Sequence, residues 1–308
     1  MNESNFKSGF ISLAGLPNAG KSTLLNQLAG MHLAITSPKP QTTRQVVRAI
    51  IDEPDAQMIF LDTPGYHTAN TRLDKNMLVS IAAALTDADI VILVTDASRA
   101  QTASKLPAME QALLERLSTL EKPVILLLNK VDKMAKEQLL PLIVRYDQAY
   151  PFAAIIPLSA RNGDGLDDLL SEIRKLLPEG PQYYPVDSVT DLTEREMAAE
   201  LIREQVLLMT HDEIPHGSAV EVEKFEEIGS PDRTQIRVSA VIYCDKDGHK
   251  GILIGKGGSM LKAIGTKARL NIEQMAGCPC FLELFVKVRP GWRNRRDILR
   301  TLGLETRA

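Results

Sequence analysis

The sequence predicts a mostly parallel, doubly wound α/β domain followed by a smaller α+β domain. Three observations predict it. Six short apolar runs alternate with amphipathic segments up to residue 177, a proline- and glycine-rich stretch follows, and the order then becomes helix, strand, strand, helix, helix, strand. At 308 residues the chain is long enough for two domains, each with its own core. Hydrophobic residues are 44% and charged residues 24%, which is ordinary for a soluble globular protein. The longest apolar runs, 90–94 and 124–129, are strand-sized and too short to cross a bilayer. No basic region leads into an apolar run at the start, so no secretory signal is expected. The three cysteines, Cys244, Cys278 and Cys280, supply neither a disulfide framework nor four zinc ligands. Buried free thiols in a reducing cytoplasm are expected.

The first domain is read as 1–177. Its strand candidates are 10–15, 45–51, 57–62, 89–96, 123–129 and 153–159, rich in Ile, Val and Leu. Their near-continuous apolar character fits a sheet covered on both faces. Helical segments fall at 21–30, 74–86, 104–119, 136–149 and 165–177, and the polar stretch 36–44 reads as a loop. Residues 178–190, with three prolines and a glycine, read as an interdomain linker. In the second domain, 191–308, a helix over 193–209 carries acidic residues in its first turn. Strands follow at 219–227 and 234–243, where Ile236, Val238, Ala240 and Ile242 share a face. DKDGH, 245–249, reads as a hairpin turn, a helix–loop–helix spans 249–276, and a last strand covers 281–290. The formal charge of −3 divides unevenly: residues 179–232 carry a net −11 and residues 233–308 a net +9. A basic end on a mildly acidic chain points to a local polyanion site.

Gly15-Leu16-Pro17-Asn18-Ala19-Gly20-Lys21-Ser22 fits G-x-x-x-x-G-K-[ST] between a strand and a helix. Glycines let backbone N–H groups close on phosphate, and the helix N-terminus adds partial positive charge. Lys21 would reach the β- and γ-phosphates, Ser22 would ligate Mg²⁺, and Thr23 completes the loop's binding set. Asp62-Thr63-Pro64-Gly65 ends a strand with D-x-x-G, where Asp62 can hold Mg²⁺ and the Gly65 N–H can sense the γ-phosphate. Asn129-Lys130-Val131-Asp132 ends another strand. Asp132 can accept from the guanine N1–H and N2–H₂, groups adenine lacks. The Lys130 stem can lie along the base, and Asn129 can tie its loop to the phosphate loop. Ser159 and Ala160 stand where a backbone N–H can reach guanine O6. All four motifs sit at strand C-termini, the edge where open α/β sheets bind ligands. The expected cofactors are GTP or GDP and Mg²⁺.

On these motifs the first domain resembles GTPases of the Era family. The resemblance implies that the loop containing PQTTR is a first switch whose threonine closes on Mg²⁺ with GTP bound. Position beside Arg44 favours Thr43 over Thr42. It also implies a second switch at 63–80 and a K⁺ ion near the phosphates helped by Asn18. Lys21, Thr43, Asp62 and Gly65 form the candidate catalytic set. Tyr66 stands where Ras-like enzymes carry a water-orienting Gln, so slow intrinsic hydrolysis is expected.

A second glycine loop, Gly255-Lys256-Gly257-Gly258, lacks the GK[ST] frame and follows a short apolar helix rather than a strand. Leu261, Ile264, Ala268, Ile272 and Met275 step by three or four beyond it, one helical face. Two helices meeting at G-x-x-G, between strands in this order, resemble a type II KH domain, which clamps single-stranded RNA. Ile252, Ile254, Lys256 and Lys262 join the loop as candidate RNA contacts. Arg293, Arg295 and Arg296 read either as more RNA surface or as a solvated tail. The two domains together resemble the Era family over nearly the whole chain, and that resemblance implies 16S rRNA near its 3′ end and the 30S subunit as partners of a monomer. The resemblance further implies cytoplasmic action with peripheral association at the inner face of the cell membrane. The alternatives are action on another RNA, as in tRNA modification, and an RNA-binding module whose nucleotide site is only a sensor. Lys21, Asp62 and Asp132, whose loss would mark a dead site, are all present.

Overall fold

Burial on both faces gives the first sheet its order. The computed structural model describes residues 6–39, 41–100, 105–229 and 234–305. Pro40 of the first switch and residue 104 of an expected helix lie outside them. The chain divides into two compact units, residues 1–69 with 77–191, and residues 70–76 with 192–308.

In the first unit the strands are β1 (Lys7–Ala14), β2 (Val47–Glu53), β3 (Ala56–Asp62), β4 (Ile90–Asp96), β5 (Val124–Asn129) and β6 (Ala154–Leu158). They form one sheet in the order β2-β3-β1-β4-β5-β6, parallel except for the β2–β3 hairpin. Every residue of β3 and β5 is buried, the polar Gln57, Asp62 and Asn129 included, as fits strands covered on both faces. Five longer helices accompany the strands: α1 (Lys21–Ala29), α2 (Arg72–Asp87, of which residues 77–87 belong to this unit), α4 (Ala108–Ser118), α5 (Leu139–Ala149) and α6 (Leu166–Leu176). One short helix, α3 (Ala97–Ala100), was not expected; four residues carry no period to read. One core joins Ile81 and Leu85 to Val91, Leu93, Leu113, Leu126 and Tyr146.

Residues 178–190 are stitched to this unit rather than hanging between elements. The Ser8 N–H donates to the Pro178 carbonyl and the Gly180 N–H to the Phe6 carbonyl. Gln57, wholly buried, accepts at Oε1 from the N–H groups of Tyr183 and Tyr184. The Ile50 N–H donates to Val189, and the Thr190 hydroxyl donates to the Arg48 carbonyl.

The second unit holds α7 (Glu194–Met209), β7 (Ala219–Ile228), β8 (Gln235–Cys244), α8 (Asp247–Ile254), α9 (Ser259–Ala276), β9 (Cys280–Val288) and α10 (Arg296–Thr301). Thr193 and Glu196 cap α7 reciprocally, satisfying two of its free N–H groups. β7 and β8 run antiparallel with a bulge between Val222 and Lys224, and β8 and β9 run parallel. Ile236, Val238, Ala240 and Ile242 face Ile202, Val206, Leu253, Ile264, Ala268 and Ile272 in one core. The three cysteines are free thiols, with Cys278 half-buried and the others buried. Burial pushes the Cys280 thiol up to about 11, which keeps it unreactive.

Two local expectations need correction. DKDGH is not a hairpin turn, because α8 begins at Asp247. The Asp245 carboxylate accepts instead from the Gly291 N–H and from Arg293, each at 3.1 Å. Nor does the basic end hang free as a tail, although Arg295 and Arg296 are exposed: Trp292 is fully buried, and its indole N–H donates to the Gly217 carbonyl at 2.9 Å. Arg295 pairs with Asp297 and Arg296 with Glu305, so most of the charge read as RNA surface is matched locally. Trp292→Ala is expected to cost about 3–5 kcal/mol, lost indole burial plus a cavity. A urea midpoint within error of the parent's would contradict this.

Candidate functional site

Four strand ends bring the nucleotide motifs to one edge of the first sheet. Gly15 follows β1 with φ +146°, and a Cβ there would lie 2.3 Å from the Val94 carbonyl oxygen. Gly20 caps α1 in the left-handed region, and a Cβ there would meet Asn129 Nδ2 at 2.1 Å. Only glycine lets this loop wrap the start of the helix. The buried Lys21 ammonium donates to the carbonyls of Gly15 and Leu16, both at 3.2 Å, inside the curl of the loop.

Beside it, one carboxylate oxygen gathers two hydroxyls. Asp62 Oδ2 accepts from Ser22 Oγ at 2.6 Å and from Thr43 Oγ1 at 3.1 Å, and the hydroxyls lie 2.9 Å apart. Thr42 points elsewhere, donating to the Lys39 carbonyl at 2.7 Å. The other Asp62 oxygen, Oδ1, is buried with no partner among the described residues. Burial pushes the Asp62 carboxyl above its ordinary range, against the Lys21 charge and the bonds from Ser22 and Thr43. Burial likewise pushes the Lys21 ammonium down, against Asp62. A divalent cation at the orphaned oxygen and a phosphate at the lysine would offset both penalties, so these residues fit Mg²⁺ and a nucleotide phosphate.

Gly65 presses on the phosphate loop; a Cβ there would stand 2.8 Å from Pro17 Cα. The Tyr66 N–H donates to the Gly15 carbonyl at 3.1 Å, while its ring packs against the core. His67 Nδ1 lies 2.6 Å from the Gly65 carbonyl oxygen. Asn18, left-handed at φ 64°, donates from Nδ2 to the Pro38 carbonyl at 2.9 Å. Thr23 lines the same cleft, whose volume is about 400 Å³.

At the base end, Asn129 Nδ2 donates to the Ala19 carbonyl at 2.8 Å. Its Oδ1 accepts from the N–H groups of Lys130 and Ala160, at 2.8 and 3.0 Å. The Lys130 ammonium bonds the Asn18 carbonyl at 2.6 Å and Asp96 at 2.7 Å. Asp132 is exposed and accepts from Ser159 Oγ at 2.8 Å, which sets its carboxylate beside the Ala160 turn. The structure thus brings together every residue read from the nucleotide motifs.

The second glycine loop is built differently. Gly255 ends α8 at φ +74°, where a Cβ would crowd Met260 at 2.8 Å. A 3-10 turn over Lys256–Gly258 leads into α9, with Gly257 and Gly258 both at positive φ and open space beside them. A groove of about 410 Å³ runs from Gly258 and Lys262 between α9 and β9, walled by Thr266, Arg269, Leu282 and Leu284. Ile254 packs partly into the core and Ile252 is exposed; neither lines this groove. Sequence reading missed Gly265, whose bare Cα faces Leu284 in the groove. A glycine inside a helix costs about 1 kcal/mol against alanine, which was a legible sign of close approach there.

Residues 10–130 match the family model described as 50S ribosome-binding GTPase, and residues 213–293 match the KH domain model. GTPase Era of Syntrophus aciditrophicus is 49% identical over 298 residues, covering 97% of this chain and 95% of that protein. GTPase Era of Geobacter metallireducens is 45% identical, covering 98% and 99%. Two crystal structures superpose with TM-scores of 0.92 at 36% identity, covering 98% of this chain and all of theirs. One is a variant of Aquifex aeolicus Era bound to GDP and aluminium fluoride; the other is Era with MgGDPNP and nucleotides 1506–1542 of 16S ribosomal RNA.

The hydroxyl geometry separates the two threonines. Thr43→Ala is expected to weaken Mg²⁺-dependent binding of a GTP analogue about tenfold while sparing GDP, and Thr42→Ala to change neither. Equal losses for both variants would remove Thr43 from the metal site.

Proposed function

Because the chain belongs to the GTPase Era family, we propose that it is a slowly hydrolysing GTP switch that binds 16S rRNA near its 3′ end and assists maturation of the 30S subunit. The observation that carries the reading is that one chain forms two glycine loops of different frame, one beside Asp62 and one opening the α9–β9 groove.

GTP lies along the strand ends, its guanine read by Asp132 and the Ala160 N–H, with the Lys130 stem against the ring. Backbone N–H groups of Gly15–Ser22 surround the phosphates, and Lys21 turns from its carbonyl partners to the β- and γ-oxygens. Ser22, Thr43 and Asp62 hold Mg²⁺, which when bound neutralises charge building on the phosphates. Water adds to the γ-phosphorus as the bond to the bridging oxygen breaks, releasing GDP and phosphate. The Gly65 N–H senses the γ-phosphate, and Thr43 leaves the site when it is lost. With the Tyr66 ring packed on the core, no side chain at that position aligns the water, in keeping with a slow rate.

Asn18 holds Pro38 through its nitrogen, which leaves its oxygen as the atom a K⁺ ion would use. On this reading turnover is several-fold faster in K⁺ than in Na⁺ at equal ionic strength; identical rates would sink the K⁺ role.

In the second unit the Gly255–Gly258 turn clamps the RNA backbone, Lys256 and Lys262 supply charge, and bases lie over the α9–β9 groove. Cytoplasmic action suits the three free thiols. Peripheral membrane association belongs to the reading as a family expectation, and co-sedimentation with anionic vesicles decides it. Among the described residues no helix is long and apolar enough to cross a membrane.

The test is ultraviolet crosslinking of RNA to the chain in cells, with Gly257→Asp as control. Aspartate tolerates φ 60° better than most residues, so this variant keeps the turn and sets a negative charge against phosphate. The 3′ region of 16S rRNA is expected from the parent and is lost in the variant. Recovery of a different RNA, or of none, overturns the assignment.

A further inference from the structure

A lysine stem makes a good base platform only if its four methylenes are held extended. A free lysine carries up to about 2 kcal/mol of rotamer entropy that binding would have to overcome. Lys130 is held at both ends. Its backbone sits in the left-handed region at φ 66°, with the N–H given to Asn129 Oδ1. Its ammonium is fixed by the Asn18 carbonyl at 2.6 Å and by Asp96 Oδ2 at 2.7 Å.

Asp96 is itself fixed. It ends β4, and the parallel register sets it beside Asn129, the first residue of the base-reading turn. Its Oδ1 accepts from the Ser98 N–H at 3.1 Å and the Ser98 hydroxyl at 2.5 Å. Arg99 lies 3.7 Å from its other oxygen. The Asp96–Lys130 pair is largely shielded, with side chains 11% and 24% exposed, so water screens it less than a surface pair. Burial pushes the Asp96 carboxyl up, but bonds from Lys130 and Ser98 and the charges of Lys130 and Arg99 outweigh it and hold the group below its ordinary value. Asp96 is therefore charged at neutral pH and clamps the lysine tip.

We propose that Asp96 is a positioning residue for guanine binding, whose carboxylate preforms the Lys130 stem as the platform on which the base lies. The proposal rests on the guanine-site reading given above. Through the same ammonium, Asp96 also braces the phosphate loop at Asn18, so base platform and phosphate cradle are set by one group.

A double-mutant cycle with the full chain and a fluorescent GDP tests it. Asp96→Ala is expected to weaken GDP and a GTP analogue alike, roughly tenfold, because both carry the same base. Asp96→Asn keeps an acceptor oxygen and is expected to recover all but about threefold of the loss. In a Lys130→Met background, which keeps an apolar stem but no ammonium, Asp96→Ala is expected to cost nothing further. An undiminished loss in that background would show that Asp96 acts on the fold rather than through Lys130, and overturns the proposal. Should the alanine variant fail to fold, the same cycle with Asp96→Asn decides it: its threefold loss must vanish beside Lys130→Met. Failure of the underlying reading looks different. Asp132→Ala would then leave the preference for GDP over ADP intact.

Discussion

The first domain depends on what one buried amide does. Asn129 ends a strand and spends its nitrogen on the phosphate loop, at Ala19, and its oxygen on two N–H groups, at Lys130 and Ala160. Three loops from three strands are thereby held in one arrangement. Gly20 must lack a Cβ because Asn129 Nδ2 occupies that space. A buried amide loses heavily if any partner leaves, since each unpaired group costs about 1–3 kcal/mol. The loops therefore move as a set, and a nucleotide meets a site whose spacing from base to phosphate is already fixed.

Both units solve one electrostatic problem with different backbone. An anion needs N–H groups and no side chains in the way, and glycine at a helix start supplies both. In the first unit a strand delivers the chain into the helix, so the loop must curl, and Lys21 is buried within it. In the second a helix delivers it, the turn is a short 3-10 segment, and Gly257 and Gly258 face open space. The curled loop is shaped to enclose the end of a phosphate chain, whereas the open turn suits a polymer that continues past it.

Legibility followed period and frame. The strands and longer helices were readable because sheet burial forces apolar continuity and helix burial forces spacing by three and four. The nucleotide residues were readable because each motif ends a strand at the ligand-binding edge. What escaped was set by partners far away in sequence. DKDGH has turn composition, yet its first aspartate is drawn to Gly291 and Arg293, and a helix starts two residues later. The basic end looked like a free tail because Asp245, Asp297 and Glu305 cannot be recognised as partners of its arginines from spacing alone. The place of Thr43 beside Arg44 favours it over Thr42, and the loop does turn its hydroxyl toward Asp62 while Thr42 faces Lys39. Asp96 was hidden in plain composition, as the polar residue closing an apolar strand.

Residues 178–191 carry a consequence for anyone cutting the protein. β2 is an outer strand of the six-stranded sheet, and Val189 and Thr190 lie along it, taking the Ile50 N–H and giving a proton to the Arg48 carbonyl. An outer strand with free backbone groups is a template for another chain. A nucleotide-binding domain ended at 177, where helical periodicity stops, would bare that rim and the buried Gln57 together. Ended at 191, it keeps its own selvedge, and the difference would be felt as self-association long before it was felt at the phosphate loop.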